Sequence, residues 1–411
     1  MRALSFHFSP ARLAAGRILG SLWPGGALTS LGPVIYEEIP DPGLRGDRWV
    51  LIDTRYCGIC GSDLKQVFLE GAMDNPMASL ISFPHVMGHE IVGTVVETGT
   101  TVSRVRAGDR VACYPWLSCE PRGLTPCPAC EAGRFTQCSG FTSGDLAPGI
   151  HLGNCRDLPG GFAPRVSAHE SMCFVLPDSV SFEDAALADP FAVSLHTLCK
   201  APPAPGQRVI VVGCGVLGLL LIQLLSRFHP DVEILGVDLH EHIGALAKQM
   251  GAHRYTTAAG AALVEEVAVW VGASPRKALA GLPWLLDGVD CVYDTVGSAR
   301  TLETAVRIVR PEGTVVLVGV DTPRRFEWTP LYFKEVRLIG ASGYGIEELD
   351  GTRAHAFDIY LSLLSAGRLD PAPLVTHRFP LDRYREAFLV ARGKRRHRSV
   401  KVLFDFAAPA S

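Results

Sequence analysis

Net charge is almost absent from this sequence. Lys and Arg number 39 against 42 Asp and Glu, a formal charge of −3 with a pI near 6.5. So even a balance argues against a polyanionic partner such as nucleic acid. An apolar run of membrane length is also missing. The best candidate, "VIVVGCGVLGLLLIQLL" from Val209 to Leu225, falls short of the roughly 20 residues a spanning helix needs. Its three glycines suit a strand, a turn and a helix, so no membrane association is expected. Internal repeats and low-complexity tracts are absent, which sets aside solenoids and disordered tails. Acidic residues are lacking over the first 36 positions, where Arg2, Arg12 and Arg17 occur. That is one mark of a transit peptide. The preferred reading is a strand over "MRALSFHF" and an inserted helix over "PARLAAGRILGSLW", because "VIYEEIPDP" follows as strand and turn. A secretory signal is missing too, so the 12 cysteines read as metal or catalytic thiols of a reducing, cytoplasmic compartment.

What is present divides into two styles. A chain of 411 residues is expected to form two domains. Before about Leu187, short valine-rich runs broken by glycine, as in "GHEIVGTVVETGTTVSRVRAGDRVAC", predict a β-rich domain. From about Gly206 to Ala341, strands alternate with helices, the mark of a parallel sheet covered on both faces. The closing "SVKVLFDF" reads as a strand returning to the first domain. The expected layout is residues 1–190, then 191–341, then a return over 342–411. The fold class is α/β.

Within the alternating region, "GCGVLG" supplies Gly213, Gly215 and Gly218, with Val216 and Leu217 opening the following helix. A strand precedes the motif, and Asp238 lies twenty residues past Gly218 at the end of the next strand. Gly213 allows the tight turn, Gly215 a close backbone approach to a pyrophosphate, and Gly218 close helix–sheet packing. Phosphates then meet free N–H groups at the helix start. Asp238 can accept from a ribose diol and would repel a 2′-phosphate. Leu239, His240 and Glu241 follow it, with no arginine, which favours NAD over NADP.

The segments "RYCGICGSDLK", "FPHVMGHEIVG", "GDRV", the cysteine knuckle "CEPRGLTPCPACEAGRFTQC", "ALADPFAV" and "GCGVLG" occur in that order. As an ordered set they resemble the zinc-dependent medium-chain dehydrogenases/reductases, the alcohol, polyol and threonine dehydrogenase group. The resemblance spans nearly the whole chain. It implies a GroES-like catalytic domain, a Rossmann domain and a cleft between them. It implies reversible oxidation of a small alcohol or polyol, with zinc as Lewis acid and hydride transfer to NAD. Homodimers or homotetramers are usual in the group.

Carried over by position, Cys60 and His89 match catalytic zinc ligands, Ser62 the hydroxyl that takes the substrate proton, and Glu90 the carboxylate behind the metal. Cys57 falls at a structural position. The third ligand, usually Cys or Glu in the family, is Asp189 here, with a site completed by Glu90 or water as the rival. Lys65 stands where several relatives carry a relay histidine, so the relay beyond Ser62 is open. Thr295, Val318 and Val320 match strand ends lining the nicotinamide, and Lys401 matches a loose pyrophosphate contact. The family's structural zinc lobe is C-x2-C-x2-C-x7-C. Cys127, Cys130 and Cys138 keep the last two spacings, Leu124 holds the first cysteine's place, and Cys119 is the expected replacement. Four thiolates would close a tetrahedral site that holds a loop and excludes substrate. Cys113 competes as fourth ligand, and a metal-free lobe of reduced thiols stays open. Three further readings remain: a zinc-free reductase using NAD or NADP, a catalytically silent NAD binder, and a zinc-knuckle interaction protein.

Overall fold

In chain order the first strands are β1 (Arg2–Phe6), β2 (Val34–Glu38), β3 (Trp49–Gly58), β4 (His85–Val86), β5 (Glu90–Thr98), β6 (Arg110–Cys113), β7 (Arg165–His169) and β8 (Cys173–Val175). There follow β9 (Arg208–Val212), β10 (Glu233–Val237), β11 (Arg254–Thr256), β12 (Val289–Asp294), β13 (Val309–Leu317) and β14 (Arg337–Gly340). A hairpin of β15 (Ile346–Leu349) and β16 (Thr352–His355) comes next, and β17 (Val375–Phe379) and β18 (Lys401–Asp405) close the series. This is a computed structural model that describes residues 1–72, 74–322 and 324–407. The chain divides into two compact units, Met1–Asp189 with Phe357–Ser411, and Pro190–Ala356.

In the first unit the main sheet runs β17-β18-β3-β5-β6-β8, with β7 also on β3. A smaller sheet, β2-β1-β4, holds the N-terminal strand. The helix expected over the insert forms at Pro10–Leu22, started by its proline. Its Gly16 faces Pro33 and Leu69 at 3.0–3.1 Å from where a Cβ would stand. Val50, Ile52, Val92, Val95 and Leu403 are sealed from solvent within the sheet.

The second unit is a six-stranded sheet, β11-β10-β9-β12-β13-β14, with every pairing parallel. Because the strands are parallel, their carboxyl ends share one edge, where ligands of such sheets bind. Val209, Ile210 and Val211 of β9 are wholly buried, as a strand covered on both faces must be. The helix Val216–Phe228 buries Leu219 through Leu225. The returning segment begins later than the residue pattern suggested. Residues 342–356, assigned above to the return, belong with the second unit, because β15 pairs with β16 there and Glu347 meets His196 at 2.6 Å.

Candidate active site and metal centres

Strand register builds the first site. In the β3–β5 pair, Cys57 faces Ile91 and Gly58 faces Glu90, so the residues just beyond, Cys60 and His89, emerge side by side. On the other flank of β3, Leu403 of β18 faces Gly58, and the Ile59 N–H donates to the Val402 carbonyl, which sets Lys401 beside the same end. Ligand atoms of Cys60, His89 and Glu90 all lie within 4.8 Å of one another. Cys60 is also the N-cap of the helix Gly61–Val67. Its sulfur accepts from the Asp63 N–H, and its own N–H donates to the Asp63 carboxylate at 2.8 Å.

The electrostatics favour positive charge at this point. Burial pulls the His89 imidazole down, yet Asp63, Cys60 and Asp189 together hold it well above its usual value. A field that stabilises an imidazolium also suits a dication. His89 Nδ1 is buried without a hydrogen-bond partner, 3.7 Å from Asp63 Oδ1. That leaves Nε2 as the nitrogen toward the Cys60 sulfur. Thiolate, imidazole and carboxylate are all accepted zinc donors, so this donor set fits the metal.

Two expected residues stand elsewhere. Asp189 is buried, and its charge reaches His89 and Lys401, but it is not part of the Cys60–His89–Glu90 group. It sits in the first turn of the helix Ala188–Lys200, one methylene shorter than glutamate, while Glu90 starts a strand beside both other donors. Glu90 is thus a member of the donor group itself, where the family position implied a carboxylate behind the metal. Lys401 was expected at a pyrophosphate. It is 1% exposed in the first unit, its ammonium on the Glu90 carboxylate and on the Ile59 carbonyl at 3.2 Å. The register of β18 commits it to Glu90. Ser62 is exposed on the first turn after Cys60.

Residue-type reasoning missed two contributors. Asp63 lies within the quoted "CGSD" and could have been found as a carboxylate three residues after a cysteine that caps a helix. Gly58 gave no signal. A Cβ there would run into the Glu90 carboxylate and stand 2.6 Å from the Lys401 side chain, so only glycine admits the pair.

The second cluster is local. Ligand atoms of Cys119, Cys127, Cys130 and Cys138 lie within 4.8 Å of one another. Cys119 and Cys138 sulfurs are 3.4 Å apart, Cys127 and Cys138 sulfurs 4.0 Å. A tetrahedron with ~2.3 Å zinc–sulfur arms has edges of about 3.8 Å, so the spacing fits the metal. Backbone N–H groups already point at the sulfurs: Cys127 at Cys119 (3.4 Å) and Gly140 at Cys138 (3.2 Å). N–H groups of Ser139 and Cys130 draw the Cys127 thiol down to about 5. The stretch between Cys119 and Cys127 forms a short turn, Glu120–Arg122, closed by Gly123 at a φ of 66°. Leu124 packs on the cluster, and Cys113 pairs across strands with Cys173, away from it.

In the second unit, Gly213 has a φ of 86°, and a Cβ would stand 2.6 Å from Val296. Gly215 is the N-cap of the helix Val216–Phe228, whose first turn contains Val216, Leu217 and Gly218. A Cβ on Gly218 would strike the Gly213 carbonyl. Asp238 follows β10 and accepts from the Cys214 N–H at 2.9 Å and the His240 N–H at 3.1 Å. Thr295, beyond β12, donates to the Val212 and Gly213 carbonyls at 3.0 and 2.8 Å. Val318 and Val320 follow β13, and Val320 is exposed. All therefore gather at the carboxyl edge of the sheet. No helix of the described residues is long and apolar enough to cross a membrane.

Comparison with known proteins agrees in both halves. Residues 46–178 match the alcohol dehydrogenase GroES-like domain family, and residues 216–357 match the zinc-binding dehydrogenase family. An L-idonate 5-dehydrogenase of Vitis vinifera is 30% identical over 360 residues, 87% of each chain. A sorbitol dehydrogenase of Bacillus subtilis is 26% identical over 353 residues, 85% of this chain and 88% of its own. The crystal structure of 2R,3R-butanediol dehydrogenase from Bacillus subtilis superposes with a TM-score of 0.70 at 26% identity, covering 98% of this chain and 99% of that one.

Proposed function

Given that the chain belongs to the zinc-dependent medium-chain alcohol and polyol dehydrogenases, and is an oxidoreductase that uses zinc and NAD, we propose that it oxidises a secondary alcohol within a small polyol or vicinal diol. The relatives are named for sorbitol, L-idonate and 2R,3R-butanediol, which share that chemistry. The observation that carries the reading is the Cys60–His89–Glu90 donor group beside an exposed Ser62.

In this reading Cys60, His89 and Glu90 would hold the catalytic zinc, which supplies Lewis acidity to the substrate hydroxyl when bound. Ser62 Oγ accepts a hydrogen bond from the substrate hydroxyl and, being exposed, passes its own proton to solvent as it takes the substrate's. Asp63 holds the Cys60 backbone and lends negative charge to His89. Lys401 neutralises Glu90 and anchors its carboxylate beside the other two donors. Asp189 adds charge at longer range. At the sheet edge, Gly213, Gly215, Val216, Leu217 and Gly218 would take the pyrophosphate, Asp238 the adenosine ribose, and Thr295, Val318 and Val320 the nicotinamide side. NAD, when bound there, would supply the acceptor for the hydride of the carbinol carbon. Cys119, Cys127, Cys130 and Cys138 would hold a second, structural zinc.

The proposal extends to a homodimer in a cytoplasmic setting. Strand β14 is the outer edge of the parallel sheet, Leu338 on it is exposed, and Trp328, Tyr332 and Phe333 just before it are 64%, 84% and 61% exposed. An unpaired edge flanked by aromatic surface suits pairing with a second copy. Light scattering of the parent and of Leu338→Lys tests this; a monomeric parent refutes it.

For the activity, zinc per chain is measured on the parent and on Cys60→Ser, together with NADH formation from sorbitol, xylitol and 2,3-butanediol. Two zincs, one of them lost in Cys60→Ser along with turnover, are expected. NAD binding without turnover of any diol, in a parent carrying two zincs, would overturn the substrate class.

A further inference from the structure

His89 presents a problem the donor group does not solve. A metal-ligating histidine is normally oriented by a hydrogen bond from its second nitrogen. Here Nδ1 has none, since Asp63 stops at 3.7 Å. The Asp63 carboxylate faces that nitrogen as an ion-pair partner and leaves the tilt of the ring to be set by what packs on it.

The neighbour that does so is His151. The two ring centroids are 4.5 Å apart with planes inclined at 37°. His151 is itself immobilised. Its Nδ1 faces the Leu152 carbonyl and so donates, while Nε2 accepts from the Asn154 side-chain amide at 3.1 Å. Asn154 Oδ1 in turn accepts the His151 N–H at 3.1 Å. Trp116 also packs on it in a T-shaped contact, with centroids 5.9 Å apart at 78°. With both nitrogens occupied, His151 can neither ligate nor shuttle a proton; what it offers His89 is a ring face.

The backbone around His151 is built for that contact. Gly153 has a φ of 93°, and a Cβ there would stand 2.7 Å from the Gly88 carbonyl oxygen, so loop and strand meet backbone to backbone. Gly160, Gly161 and Phe162 then donate to the carbonyls of Val86, Gly88 and Met87 at 2.8–3.1 Å, clamping the three residues before His89. The far end of the loop hangs from the cysteine lobe. Arg122, fully buried in the turn between Cys119 and Cys127, donates to the carbonyls of Ser143, Leu146, Ala147 and Gly149 at 2.6–3.1 Å. Ile150 and Trp116 pack into the same apolar cluster as Cys119 and Cys138.

We propose that His151 is a positioning residue for the His89 ligand, presented by a loop that the four-cysteine lobe holds in place. The proposal rests on the reading of Cys60, His89 and Glu90 as a metal site. It gives the lobe a task toward the catalytic metal beyond its own stability.

The test compares His151→Phe, which keeps a ring face and loses both polar bonds, with His151→Gln, which keeps an amide and loses the ring. Each is checked for fold by circular dichroism. The readouts are the rate of metal release to a chelator and the visible spectrum of the cobalt-substituted protein, alongside kcat and KM. Ring packing predicts near-parent behaviour for His151→Phe. For His151→Gln it predicts 10–100-fold faster release of one metal, altered cobalt bands and a lower kcat at similar KM. The opposite order, or parent-like release in both, overturns the proposal. A parent with a single zinc that Cys60→Ser leaves untouched overturns the metal-site reading first, and this proposal with it.

Discussion

The two cysteine-bearing sites of the first unit are assembled in opposite ways. Cys119, Cys127, Cys130 and Cys138 come from one short segment, and backbone N–H groups of that same segment point at their sulfurs. Cys60, His89, Glu90 and Lys401 come from the ends of three strands, and Lys401 is 311 residues from its partner Glu90. The local site depends on spacing along the chain. The other depends on register between strands, so its defects should spread into the sheet, whereas the lobe's defects should stay near the lobe except along the His151 loop.

The largest effect that could break this contrast is removal of one donor from each site. Cys138→Ser is expected to lose one zinc and destabilise the protein by more than about 4 kcal/mol. Cys60→Ser is expected to lose the other zinc and turnover while keeping its melting temperature within a few degrees. Zinc analysis with thermal melts decides; equal melting losses in both variants would erase the distinction. Next comes Lys401→Met, which leaves Glu90 buried without its counter-charge and should cost about 3–5 kcal/mol in the zinc-free protein. Much of that loss should return on adding zinc, since a bound dication takes over the neutralisation. Denaturation with and without zinc would show it, and a loss insensitive to zinc would mean that Glu90 does not face the metal. Gly58→Ala is milder. Displacing Glu90 should weaken metal retention and kcat by about 10–100-fold, with the cysteine lobe's zinc unchanged.

Buried lysines sharpen the comparison at the smallest scale. Lys401 has a carboxylate; Lys334 has the carbonyls of Leu285, Arg307 and Val309 and the face of the Trp284 ring. Burial and the like charge of Arg307 bring Lys334 down to about 7 from 10.5. Between those values the unfolded chain binds a proton that the folded chain does not. Stability therefore carries the full penalty below pH 7 and gains as pH rises from about 7 toward 10.5. Lys334→Met should lose that upward slope relative to the parent in denaturant titrations at several pH values.

Legibility in the sequence followed the same division. The cysteine lobe, including the looped stretch after Cys119, could be read from spacing, and so could the glycine turn at Gly213 with Asp238 beyond it. Both are built from neighbours in the chain. Glu90 as a donor could be named only as the rival to Asp189, and Lys401 as its partner could not be read, because nothing local states which residues β3 will face on either flank. For the same reason the segment around Asp189 could suggest a ligand position but not the reach of its carboxylate. The return point was read early because the hairpin of β15 and β16 resembles any tail strand until its contacts with the second unit are known. His151 was invisible as well, lying in a loop with no motif, its importance set wholly by what packs on it.

The placement of Lys401 has a consequence for how the protein is made. At roughly 5–20 residues per second of synthesis, Glu90 precedes its ammonium by about a quarter of a minute to a minute. In that interval the continuous second unit, Pro190–Ala356, is made in full. A nascent chain thus carries all its cysteines and a finished nucleotide sheet while one carboxylate still awaits its counter-charge. Ribosomes that stop short of β18 release a product unable to bury Glu90 cheaply. Such fragments should open readily at β3 and β5 and be cleared by proteases, so β18 serves as a check that synthesis has passed the whole second unit.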